Sequence, residues 1–253
     1  MPFLTLVGNH DYRNSPHGRG VYFDWAETLL ARELGEAAAF PLFSFRIDDD
    51  RWIFCDFERV SLPDVAAEVS ADPDARYVFL VTHGPFTAYD SANWRWRLSA
   101  WTGKGGSGQG VPELFEAISR RRAIILSGHT HTTAFYRNEN EFGGYTEFTA
   151  NSVWEDAALA TAEPIHDRPA QYGTYRRSQV SASLLPDYDA DIAFFKAGLR
   201  EYFFSLAAGH YRLEVTDGAV RMLFYPGAAA EPGRVFGLTP GPVPFSGTFL
   251  ILK

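Results

Sequence analysis

The chain has one cysteine, Cys55. An intrachain disulfide and a thiolate cluster are therefore both excluded. Cys55 lies in the apolar run Trp52-Ile53-Phe54-Cys55 and reads as a buried core thiol, because free cysteine packs as a small hydrophobe. No run approaches the roughly 20 apolar residues of a membrane-spanning helix. Excess positive charge is also lacking: 23 Lys and Arg against 31 Asp and Glu leave a net charge of −8. The bulk field favours neither nucleic acid nor an anionic membrane surface, so neither is expected as a partner. An anionic substrate would need positive charge supplied locally. Internal repeats are absent.

The 253 residues, 46% hydrophobic and 21% charged, suffice for a substantial core and read as a single α/β domain over 1–253. Three segments hold four of the seven histidines. Phe3-Leu4-Thr5-Leu6-Val7 runs into Gly8-Asn9-His10-Asp11, Tyr77-Val78-Phe79-Leu80-Val81 into Thr82-His83-Gly84-Pro85, and Ala123-Ile124-Ile125-Leu126-Ser127 into Gly128-His129-Thr130-His131. A short, almost wholly apolar run reads as a strand buried on both faces. A Gly-containing turn after it sets polar side chains at the strand's carboxyl end, where open α/β sheets bind ligands. Imidazole and amide oxygen suit Zn, Mn, Fe, Co or Ni.

The remaining chain reads as follows. Residues 22–34 predict a helix closed by Gly35. Residues 42–47 and 51–57 predict a hairpin around a solvated turn, Asp48-Asp49-Asp50. A short helix is expected at 62–69 and another at 113–122, opened by Pro112. Residues 86–110 form a long irregular loop carrying Trp94, Trp96 and Arg97, which either stack a base or sugar or pack the loop onto the body. A strand is expected at 145–150, and 153–186 is polar and unassigned. Residues 190–208 predict a helix. Residues 211–216 and 219–225 flank Asp217-Gly218, a strong hairpin turn. The Gly/Pro-rich tail, 227–247, reads as an extended surface segment. His17, His166 and His210 lack motif context and read as ordinary surface or hairpin residues.

Gly-Asn-His-Asp, Thr-His-Gly-Pro and Gly-His-Thr-His in this order resemble the calcineurin-like metallophosphoesterase superfamily, over roughly residues 3–154. The resemblance implies a four-layer α/β/β/α sandwich holding two divalent or trivalent metal ions. It implies that Asn9, His83 and His129 bind one ion and His131 the other. His10 would contact the phosphate and protonate the leaving oxygen, and Asp11 would support His10. The implied substrate is a phosphorylated small molecule or nucleotide-type compound. The implied reaction is hydrolysis of a phosphate mono- or diester by metal-activated water.

The family also has an Asp-x-His and a Gly-Asp motif ahead of these three. Neither precedes Phe3, and no Asp-x-His occurs elsewhere in the chain. The expectation is an N-terminally incomplete domain lacking its first strand-helix units. Such a chain would hold two ions or only one, and be inactive or weakly active. The alternative function is a non-catalytic or mononuclear relative that binds a ligand or partner through the same face.

Overall fold

The structure is a computed structural model and describes residues 28, 29, 31, 32, 41–56, 60–90, 94, 97, 98, 110–151 and 164–239. The hairpin is formed by β1 (Leu42–Ile47) and β2 (Asp50–Cys55), in the register Leu42↔Cys55 to Ile47↔Asp50. The acidic turn departs from expectation at one residue. Asp50 opens β2, is buried, and accepts hydrogen bonds from Arg76 Nε (2.9 Å) and Nη2 (2.8 Å). Burying a carboxylate costs free energy unless a partner meets it, and Arg76 supplies that partner.

Helix α1 (Leu62–Ser70) buries Leu62, Val65, Ala66 and Val69, one stripe at helical spacing. It leads to β3 (Val78–Thr82), parallel to β2. Helix α2 (Val111–Arg120) has a proline in its first turn, as its sequence predicts. Gly110 precedes it at φ 83°, and a Cβ there would lie 2.6 Å from Pro63 Cδ. The two helix N-termini meet closely only because that side chain is missing. Strand β4 (Ile124–Ser127) follows, parallel to β3. Then come β5 (Thr133–Asn140) and β6 (Gly143–Thr149), an antiparallel pair whose second member runs parallel to β4. Helix α3 (Leu185–Lys196), β7 (Leu199–Ser205), β8 (Gly209–Val215), β9 (Val220–Pro226) and β10 (Arg234–Gly237) complete the described elements.

Seven strands form a mixed sheet in the order β1-β2-β3-β4-β6-β5-β7, and β10-β9-β8 form a small antiparallel sheet. Period-two alternation divides the large sheet into two faces. Ile53, Leu80, Ile125, Tyr136, Tyr145 and Phe204 join the helices in one core. Phe79, Ile124, Phe135, Phe148 and Phe203 face the small sheet in a second core. Phe236 of β10 anchors that second core, its ring 5.3 Å from Phe135, 5.3 Å from Phe148 and 5.0 Å from Phe203. Each fully buried phenyl of this kind stabilises by about 1.5–3 kcal/mol. The fold is thus mixed α/β. Helices, large sheet and small sheet stack in that order, and a further helical layer is not found among the described residues.

Two sequence expectations are corrected. The helix over 190–208 is instead α3, starting earlier at Leu185 and ending at Lys196, followed by β7. Gly198 makes the break at φ 83°, where a Cβ would lie 2.1 Å from the Glu139 carbonyl oxygen. Beyond it Tyr202-Phe203-Phe204 are consecutive and all buried, as a strand covered on both faces requires. The tail is not wholly a surface segment, since β10 pairs with β9 and both Phe236 and Leu238 are buried. Strand β5 was not anticipated, because Arg137, Asn138, Glu139 and Asn140 conceal its alternation. Asn138 is nonetheless buried, donating from Nδ2 to the Ala197 carbonyl (2.7 Å) and Tyr136 Oη (2.9 Å).

Of the expected helix at 22–34, residues 28, 29, 31 and 32 are helical and the rest lie outside the described residues, as does the strand at 3–7. Cys55 is fully buried, and burial pushes its thiol up to about 12, so it is not a nucleophile near neutrality. His166 forms an isolated bridge with Phe204, and exposed His210 stacks on Tyr225.

Gly198→Ala is expected to destabilise by more than the about 1–2 kcal/mol that a left-handed L-residue costs, because the Glu139 carbonyl must also move. Urea denaturation checks this; an unchanged midpoint would contradict the assigned break.

Candidate metal centre

Four neighbouring strands of the large sheet, β2, β3, β4 and β6, run parallel, so their carboxyl ends lie at one edge. Asp56, His83, Gly128 and Ala150 follow those ends directly. The register places Cys55 opposite Thr82 and Val81 opposite Leu126. The ladder continues past the strands: Gly128 N donates to the His83 carbonyl (3.0 Å) and Ala150 N to the Ser127 carbonyl (2.8 Å). The second and third motifs therefore meet as backbone neighbours before any side chain is considered.

Their imidazoles meet as well. His83 Nε2 and His129 Nδ1 lie 2.9 Å apart, with ring centroids 4.8 Å apart at an interplanar angle of 72°. As placed, one ring N–H donates to the lone pair of the other, and the tautomers set the direction. The spacing is also close to that of two ligands on a shared cation. Two nitrogens each roughly 2.0–2.1 Å from one tetrahedral ion lie about 3.3–3.4 Å apart, so the rings would need to part by only a few tenths of an ångström.

The turn that presents His129 is strained. Thr130 N donates to the Gly128 carbonyl (2.8 Å), closing a three-residue turn around His129 at φ 69°. A γ-turn of positive φ is rare and costly for an L-residue. His131 also has positive φ, 53°, and is exposed. Gly128 is not where the strain lies, since a Cβ there would make only ordinary contacts at 3.7 and 3.8 Å. The two histidines carry the unusual backbone themselves.

Asn9, His10 and Asp11 lie outside the described residues. His131 shares the loop of His129. Among the described residues no group of three or more His, Cys, Asp or Glu is arranged to hold a metal ion. Asp56 is buried directly after β2, at the same edge.

Around the pair, buried polar side chains fix the loops. Tyr89 Oη and Thr130 Oγ1 lie 2.9 Å apart, and Thr130 Oγ1 and Thr132 Oγ1 2.8 Å apart, which ties the loop after β3 to the loop after β4. Tyr172 Oη donates to the Ala88 carbonyl. Glu147, 1% exposed on β6, accepts from Phe86 N at Oε1 (2.9 Å) and from Thr87 N at Oε2 (2.8 Å). Ser127 Oγ also donates to Oε1 (3.0 Å). Burial pushes the Glu147 carboxyl above the usual range, and its donors, led by the Thr87 side chain, oppose that rise. Burial likewise raises the Tyr89 and Tyr145 hydroxyls, so both are neutral hydrogen-bonding groups. The sequence reading missed Glu147 and Tyr89. Glu147 left one signal, a lone charge in the otherwise strand-like Tyr145-Thr146-Glu147-Phe148-Thr149.

The two readings of the loop at 86–110 are now distinguished for Trp94 and Arg97. Asp191 Oδ2 on α3 accepts from Trp94 Nε1 (2.7 Å) and Arg97 Nη2 (2.6 Å), and Trp94 packs edge-on against Tyr188. Both side chains dock the loop onto the body. Trp96 lies outside the described residues.

No known protein family matches the chain, and no curated protein does. Among solved structures it is similar to GAP50, the anchor in the inner membrane complex of Plasmodium. That likeness has 14% identity and a TM-score of 0.48, covering 96% of this chain and 68% of that one. It is also similar to PhoD, at 11% identity and a TM-score of 0.34, covering 78% of this chain and 37% of that one.

Asp191→Ala removes the acceptor of the buried Trp94 indole N–H. The expected loss is about 1–3 kcal/mol, read as a lower urea midpoint. A midpoint equal to that of the parent would show that the docking contributes nothing.

Proposed function

We propose that this chain is a metal-dependent phosphoesterase, hydrolysing phosphate mono- or diester bonds. The observation that supports the reading is the 2.9 Å approach of His83 Nε2 and His129 Nδ1 at the carboxyl ends of adjacent parallel strands. Two motifs 46 positions apart in sequence converge there on one small volume. Borderline nitrogen ligands of this type select Zn, Mn, Fe, Co or Ni.

In this reading His83 and His129 hold one ion together with Asn9, and His131 serves a second. Cations so held would offset the charge of the phosphoryl oxygens and make a water more acidic. The chain's own contribution is position and proton transfer. The left-handed turn aims His129 at His83 and not along its own strand. His10 donates a proton to the leaving oxygen, which suits an imidazole near neutrality. Asp11 keeps His10 oriented. With a net charge of −8, the protein repels anions at long range, so attraction for a phosphate must come from the site itself. The four-layer sandwich belongs to the same proposal.

The test combines metal content with turnover. The purified chain is titrated with Mn²⁺ and Zn²⁺ by equilibrium dialysis, then assayed on p-nitrophenyl phosphate and its bis ester. His83→Ala and His129→Ala are each expected to weaken metal binding by more than the roughly 10–100-fold that losing an outer hydrogen-bond partner costs. His10→Ala is expected to lower turnover and leave metal content near that of the parent. Metal binding without turnover on either ester would favour the ligand-binding alternative. Metal binding unaffected by both His83→Ala and His129→Ala would overturn the assignment.

A further inference from the structure

We propose that Glu147 is the positioning residue that sets the spacing of the His83 and His129 loops, and so the cation affinity of the site; this rests on the metal-site reading above. The residue lies on β6, whose neighbour β4 carries the His129 loop. Its two carboxylate oxygens are used separately. Oε2 takes the N–H of Thr87 (2.8 Å), while Oε1 takes the N–H of Phe86 (2.9 Å) and the hydroxyl of Ser127 (3.0 Å). Phe86 and Thr87 stand three and four residues after His83, and Ser127 stands two before His129. One side chain thus holds the segment after His83 and the end of the strand that leads into His129.

A buried carboxylate is an expensive way to fill this space. No cationic side chain pairs with it among the described residues, and an apolar residue would carry no desolvation cost. The donors explain its presence. Two successive backbone N–H groups and a hydroxyl all point at it, and buried donors need acceptors. Glutamine offers one acceptor oxygen and one NH₂ group, so at least one backbone N–H would face another donor. Alanine would leave every one of them without its acceptor. Only two equivalent acceptor oxygens at this reach satisfy the loop as it is built.

Neighbouring groups reinforce the grip without replacing it. Ser127 Oγ lies 2.9 Å from Thr149 Oγ1, and Thr87 Oγ1 lies 3.1 Å from Tyr145 Oη. Both contacts orient groups that already meet Glu147. Loss of the carboxylate therefore frees the segment after His83 while leaving β3 paired to β2 and β4. The predicted consequence is a changed ring-to-ring distance with the sheet intact.

The experiment compares the parent chain with Glu147→Gln and Ser127→Ala, using His129→Ala as the reference for a lost ligand. Dissociation constants for Zn²⁺ are measured by equilibrium dialysis at a temperature where each variant is folded by circular dichroism. Imidazole nitrogen correlations are recorded by NMR on the same samples without metal. Glu147→Gln is expected to weaken Zn²⁺ binding by roughly 10–100-fold and to shift the His83 and His129 resonances. Ser127→Ala, which removes one arm, is expected to do both to a lesser degree. Should Glu147→Gln fail to fold, Ser127→Ala alone decides. Parent-like affinity and parent-like imidazole resonances in the folded variants would overturn the proposal while leaving the metal site standing. Parent-like affinity in His129→Ala would instead overturn the metal-site reading itself.

Discussion

The register between β3 and β4 is the constraint on which the candidate site depends. Parallel pairing of Phe79 with Ile124 through Val81 with Leu126 brings His83 beside Gly128, and the ladder runs one step further through Gly128 N and the His83 carbonyl. A slip by one residue would turn every side chain to the other face. It would move Ile125 and Leu80 out of the helix-side core and part the two imidazoles. The apolar runs before each motif thus do two things at once. They bury surface on both sides of the sheet, and they fix the height at which the histidines emerge.

Rigidity at that edge comes from polar groups as well as hydrocarbon. Tyr89, Tyr136, Tyr145, Tyr172 and Tyr188 are fully or almost fully buried in the helix-side core. Their hydroxyls reach backbone carbonyls or threonines: Tyr136 to Phe195, Tyr172 to Ala88, Tyr188 to Gly173. A buried tyrosine stabilises by its ring and specifies by its hydroxyl, since an unpaired phenol would be costly. Irregular loops at the sheet edge can then carry strained turns, because the surrounding packing holds them.

Much of this was legible in the sequence where local and tertiary demands agree. The β1–β2 hairpin, α1, α2, β3, β4 and the β8–β9 hairpin follow from periodicity, Pro112 and Asp217-Gly218. The failures share a physical origin. In α3 and β7 the decisive event is a backbone one, the left-handed Gly198, and a dense apolar stretch conceals it. In β5 the polar residues are satisfied by distant partners such as Ala197, which no local window reveals. Asp50 was read as solvated because its partner Arg76 lies 26 residues away. For the site, the motifs identified His83 and His129, whose side chains do meet. Glu147 escaped because its burial is explained by the donors around it, which come from β4 and from the loop after β3. His131 stands two residues from His129, in an exposed, left-handed position.

The most direct test of the account is where an ion sits. Crystals grown with Zn²⁺ and measured on both sides of the zinc absorption edge should show an anomalous peak roughly 2.0–2.1 Å from both His83 Nε2 and His129 Nδ1. A peak elsewhere on the molecule, or the two rings still bonded to each other in saturating zinc, would contradict it.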